Sequence, residues 1–196
     1  MSAFATVCLL VLIPSMGVAE DQPDAAHRRT FRFMSARLDL VDRYDSLILK
    51  HSQSRGLNPR LVKAIIAAES GFFDRARSPK NARGLMQILP LTAEEMGVDR
   101  TLLCEPEPNV RAGTAYLLRL YAAAWKAFGL AGVRYRDAPL WVQERVLAAY
   151  NGGPKLLYCS HWPAETRLYV REVMLYYRSP VTELRYRLEI PLWAKR

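Results

Sequence analysis

Three histidines, three cysteines and ten glycines in 196 residues leave little material for several kinds of chemistry. His27, His51 and His161 are scattered and lack metal-ligand spacing, so no metal site is expected. No glycine-rich loop of the phosphate-cradling kind is present, and no cofactor is expected. Cys104 and Cys159 sit in no nucleophile motif. Alternating apolar and polar runs are scarce, which excludes a mainly β architecture and leaves at most a small strand element. Acidic residues are also few: 19 Asp and Glu face 28 Lys and Arg, a formal charge of +9. Such a surface favours polyanions, and by itself does not choose between nucleic acid, anionic lipid and cell wall.

What is there fits one globular domain with tails. Half of the residues are apolar (51%), enough to bury a core at this length. Ala3 to Pro14 is an apolar to weakly polar run, followed by small residues up to Ala19, and the first charged side chain is Glu20. This pattern predicts a secretory signal peptide over 1–19, although no Lys or Arg precedes the run; the alternative is an uncleaved anchor. Export predicts an oxidising compartment, where Cys104 and Cys159 are a disulfide candidate; otherwise they are two separate small core residues. Residues 20–34, with the basic knot His27-Arg28-Arg29, read as a flexible lead-in, and 181–196 as a C-terminal tail.

Between the tails the pattern is helical. Leu38, Val41, Tyr44 and Ile48 recur at three- and four-residue spacing, predicting a helix from Ser35 towards Gly56. Asn58 and Pro59 mark the start of a second helix and Gly71 its end. Residues 72–83 read as a polar loop. Thr92 and Glu95 have capping-box spacing. Further helices are predicted over 109–128, over 139–151 and over 165–178.

Glu69 stands out within the second helix. It lies four residues after Ile65 and eight after Leu61, placing a carboxylate at the end of an apolar stripe. Burial and the negative end of the helix dipole both favour its protonated form. A carboxyl protonated near neutral pH is what glycosidic cleavage asks of a general acid. Periodicity alone leaves another reading open: an exposed Glu at a fraying end, or one paired with Arg75 or Arg77.

Around it stand Glu69-Ser70-Gly71, Ser78-Pro79, Gly84-Leu85-Met86-Gln87 and Ala149-Tyr150-Asn151-Gly152-Gly153. Pro106 with Asn109, Gly113-Thr114-Ala115-Tyr116-Leu117, Glu165-Thr166 and Tyr169-Val170 complete the set. In this order and spacing, over residues 42–178, the chain resembles the soluble lytic transglycosylases of bacterial peptidoglycan. The resemblance implies a mainly α, goose-type lysozyme-like single domain over 35–180 with a groove for the glycan. It implies that Glu69 is the acid/base residue and that Ser78 and Gln87 contact the sugar. Tyr150 and Asn151 would line the cleft floor, and Tyr169 would bond to or pack near Glu69. Asn151 could instead only cap its helix, Tyr169 could be ordinary core, and Leu89 stands where some relatives carry Met.

No second carboxylate is evident; Asp74 and Glu94 sit in polar stretches. That suits the intramolecular attack which the resemblance implies, with no external water and with 1,6-anhydro ends as product. The alternatives are a water-using muramidase and a glycan-binding scaffold without catalysis. The implied partner is the glycan strand of peptidoglycan, in the periplasm, with the protein a monomer and nucleic acid not a partner. By analogy with small relatives, a secretion, pilus or conjugation apparatus is a further candidate partner.

Overall fold

A computed structural model of the chain describes residues 25–185. The expected signal peptide, 1–19, lies outside them. The described residues form eight α-helices: α1 (Ala25–Ser35), α2 (Leu38–Val41), α3 (Asp45–Gln53), α4 (Pro59–Ser70), α5 (Pro90–Glu95), α6 (Pro106–Phe128), α7 (Leu140–Gly152) and α8 (Ala164–Tyr177). Short 3-10 turns link them. Strand pairing among the described residues is confined to isolated antiparallel bridges joining Arg77 to Arg83 and Arg83 to Ile88. The mainly helical expectation holds.

The core is built around α4. Leu61, Val62, Ile65 and Ile66 are all buried, and α4 lies along α8, which supplies Val170, Val173 and Met174. Burying each such side chain contributes about 1.5–3 kcal/mol. The ends of α4 follow the local signals. The Asn58 side chain accepts from the Arg60 amide at 3.0 Å, Pro59 occupies the first turn, and Gly71 closes the helix at φ +56°. Gly129 likewise ends α6 in a left-handed conformation.

Several expectations need correction. The helix read from Ser35 towards Gly56 is broken into α2 and α3 around Asp42 and Tyr44. Asp42 and Asp45 are both drawn to the buried Lys63 of α4, and this tertiary pull outweighs helical continuity. The lead-in read over 20–34 is helical from Ala25 onward, and Met34 is fully buried. The tail read from residue 181 packs at its start: Val181 and Thr182 are buried. Thr92 caps nothing, because α5 begins at Pro90 behind Leu89, and Glu95 pairs instead with Arg119 at 2.6 Å. Helix α6 starts three residues earlier than expected, at Pro106, where a proline fits the first turn. Cys104 and Cys159 are free thiols rather than a disulfide. Their sulfurs face different neighbours, the Arg77 guanidinium and the Lys155 carbonyl respectively.

Candidate active site

Glu69 occupies the last turn of α4, one residue before the helix ends. Its carboxyl is drawn into the protein. Burial raises its pKa from the ordinary 4.5 to about 7, the nearby Glu172 charge pushes the same way, and Tyr169 partly opposes the shift. The Tyr169 hydroxyl lies close enough to steady the Glu69 charge, yet it is buried and reaches no partner with full hydrogen-bond geometry. Tyr150 feels the Glu69 charge too, and burial holds the hydroxyls of both tyrosines protonated. The structure therefore brings Glu69, Tyr150 and Tyr169 together from α4, α7 and α8.

Beyond Gly71 the backbone turns sharply. Phe72 adopts φ +69° although it is not glycine, a conformation held by the complete burial of its ring. The chain then forms the loop 76–88, which carries both Ser78 and Gln87. Ser78 Oγ accepts from the Ala82 amide at 3.0 Å, leaving its proton to donate elsewhere. Gln87, at φ +47°, donates through Nε2 to the carbonyls of Ala76 and Gly84 at 3.1 and 2.9 Å. Its amide protons close the loop, so contact with a ligand falls to Oε1 as acceptor.

This loop is pinned from behind by residues of α6 and α7. Asn109 is fully buried; its Oδ1 accepts from the Met86 amide, and its Nδ2 donates to the Arg83 and Leu103 carbonyls, each at 2.8 Å. The Tyr150 hydroxyl donates to the Met86 carbonyl at 2.9 Å. Two glycines allow the approach. A Cβ on Gly84 would lie 2.2 Å from the Leu103 carbonyl oxygen, and one on Gly113 would lie 2.3 Å from Met86 Sδ. Leu85 and Met86 are buried packing residues. The Tyr116 ring lies 5.4 Å from that of Tyr150.

Asn151 is exposed at the end of α7 and its Oδ1 accepts from Thr166 Oγ1 at 3.0 Å, tying α7 to α8. Its carboxamide is thus engaged by Thr166, which lies three residues before Tyr169 on α8. Sequence reasoning missed Asn109 as the loop's anchor, although it had noted the residue, and missed Glu172 altogether. Only the turn from Tyr169 to Glu172 on α8, one i to i+3 step, hints that this carboxylate shares a face with the site. Among the described residues no group of three His, Cys, Asp or Glu side chains could hold a metal. No described helix is long and apolar enough to cross a membrane.

Comparisons with known proteins bear on the family and the fold. The family described as "Transglycosylase SLT domain" matches residues 46–158. The chain is 36% identical over 123 residues to membrane-bound lytic murein transglycosylase C of Pectobacterium atrosepticum, covering 57% of this chain and 31% of that one. It is 32% identical over 123 residues to a transglycosylase of Enterobacteria phage PRD1, covering 63% and 38%. The chain thus spans well under half the length of these curated relatives. Among solved structures it is similar to an inactive mutant of the lytic transglycosylase Slt from Pseudomonas aeruginosa, with TM-score 0.54 and 28% identity, covering 67% of this chain and 23% of the other. The 70 kDa soluble lytic transglycosylase of Escherichia coli shares the fold at TM-score 0.53 and 22% identity, covering 77% and 28%.

Proposed function

This chain belongs to the transglycosylase SLT family, and on that premise we propose that it cleaves the β-1,4 bond between N-acetylmuramic acid and N-acetylglucosamine in peptidoglycan, with Glu69 as acid and then base. The observation that carries the reading is the half-buried Glu69 carboxyl at a helix end, its pKa raised to about 7, beside the buried hydroxyls of Tyr150 and Tyr169.

The protonated Glu69 gives its proton to the glycosidic oxygen as the bond from C1 of the muramic sugar breaks. The resulting carboxylate takes the proton of the same sugar's C6 hydroxyl, whose oxygen closes on C1. One bond is broken, one is formed, and Glu69 is restored. The C6 hydroxyl is held beside C1 by the ring itself, so its effective concentration replaces a second catalytic group. Ser78 and Gln87 Oε1 contact the sugar, with Tyr150 and Asn151 at the cleft floor. Glu172 favours a second reading, because its charge is felt at Glu69: a second carboxylate would serve a water-using muramidase. The substrate implies action in the periplasm, and local wall opening for a secretion, pilus or conjugation apparatus is a fitting role.

Digestion of purified peptidoglycan by the wild type and by Glu69→Gln, with products read by mass spectrometry, tests the reading. We expect 1,6-anhydromuramic ends from the wild type and none from the variant. Reducing ends, heavier by one water, would move the assignment to the muramidase. Undiminished activity in Glu69→Gln would remove the mechanism.

A further inference from the structure

A concavity lies near the end of α4 opposite Glu69. Ten residues separate Pro59 from Glu69, a rise of roughly 15 Å along the helix. At the Pro59 end, Arg55, Gly56, Trp125, Val133, Arg134, Tyr135 and Arg136 line a cavity of about 340 Å³. That volume is at the lower end of the range for ligand-binding pockets.

Its aromatic walls pack on one another. The Trp125 and Tyr135 rings meet edge-on with centroids 4.9 Å apart, and Tyr121 packs against both at 5.7 Å. The Trp125 indole N–H donates to the Val133 carbonyl at 2.8 Å, holding the loop against α6. Arg55 is held by its own helix end, donating to the His51 carbonyl and to Ser54 Oγ. Cations therefore surround an aromatic floor that is already in place.

The charge is unbalanced. Three arginines line the cavity, and Arg111 adds a further positive charge near Arg55. Asp137 is taken by Arg134 at 2.5 Å. Among the described residues neither Arg55 nor Arg136 has a carboxylate partner. None of these residues belongs to the site around Glu69, and the glycan mechanism uses none of them.

We propose that this concavity is a docking site for an acidic peptide segment of another protein, one that sets a carboxylate against Arg55, Arg134 and Arg136 and an apolar side chain against Trp125 and Tyr135. Arginine presents a planar fork that pairs with a carboxylate in two-pronged fashion. Arginine, tryptophan and tyrosine are also the residues that dominate the centres of protein interfaces. No lysine lines the cavity and its floor is apolar and concave, unlike the flat polybasic surfaces that hold anionic lipid. The excess positive charge would speed the encounter, and the aromatic floor would select the partner.

The test is fluorescence anisotropy of a fluorescein-labelled octapeptide alternating glutamate and leucine, titrated with the full chain at physiological salt. Two double variants remove the same charge: Arg134→Gln with Arg136→Gln in the pocket, and Lys80→Gln with Lys155→Gln elsewhere. Both alter exposed side chains. We expect the pocket double to weaken binding roughly tenfold, the distant double to leave it nearly unchanged, and a peptide of glutamate alone to bind weakly. Equal loss in both doubles, or in neither, would overturn the proposal in favour of attraction to net charge. Displacement of the peptide by phosphatidylglycerol vesicles that themselves bind through Arg134 and Arg136 would overturn it in favour of a lipid surface. Peptidoglycan digestion by the pocket double is an independent reading: it stays at the wild-type rate whichever way the peptide result falls.

Discussion

The Tyr150 hydroxyl donates a 2.9 Å hydrogen bond to the main-chain carbonyl of Met86, sixty-four residues away. Through this bond α7 holds the backbone immediately before Gln87, while the same tyrosine borders Glu69. One side chain thus links the loop that carries Gln87 to the neighbourhood of Glu69.

Tyr150→Phe keeps the ring and removes the bond. The Met86 carbonyl is left buried without that partner, at a cost of about 1–3 kcal/mol. Urea denaturation is expected to show the lower midpoint with an unchanged slope. Glycan cleavage should fall as well, because Gln87 loses its fixed position. A midpoint equal to that of the wild type would show that the bond contributes nothing.

Glu69 makes stability depend on pH. Its carboxyl titrates at about 7 in the fold against 4.5 when exposed, so the folded state holds the proton more tightly. Stability from this group is full below pH 4.5 and is lost as pH rises through 7, by about 3 kcal/mol in all. Glu69→Gln lacks the penalty. Thermal melts should therefore show the variant more stable than the wild type at pH 8, the difference shrinking towards pH 4.5. In the wild type, cleavage should also decline above pH 7 as the acid form is lost.

Asn109 satisfies three backbone groups from three points of the chain at once. Asn109→Ala leaves the Met86 amide and the Leu103 carbonyl buried and unmet, while the Arg83 carbonyl keeps the Ile88 amide at 3.0 Å. The loss should reach about 3 kcal/mol or more. Hydrogen exchange of the Met86 amide should rise sharply, and this local readout separates loop release from global unfolding.

Lys63 is fully buried, with its ammonium 2.7 Å from Asp45, 2.9 Å from Asp42 and 2.8 Å from the Glu183 carbonyl. The Arg185 amide closes the cluster on Asp45 at 2.9 Å. Lys63→Met strands a buried carboxylate at Asp45, a change worth about 3–5 kcal/mol. Adding Asp45→Leu should recover much of that loss, because a well-packed apolar pair replaces the ion pair without desolvated charge. Calorimetry of the two variants decides this; a double variant as unstable as the single would contradict it.

Local signals in the sequence carried the parts of the fold that local forces decide. Asn58, Pro59 and Gly71 marked the ends of α4 because a cap, a fixed φ and a left-handed residue act within one turn. Glu69 was legible for a related reason: a carboxylate continuing an apolar stripe is visible in the spacing alone. The helix break at Asp42 to Tyr44 was hidden, since the lysine that draws both aspartates stands on another helix. Asn109 stood in the motif set without a role until the fold placed it behind Met86, and Glu172 gained its bearing on Glu69 only when α8 was laid along α4. The sequence determined where most helices start and stop and which carboxylate ends an apolar stripe. Tertiary structure decided what surrounds that carboxyl, because burial and hydrogen bonding between distant segments exist only once the helices are packed.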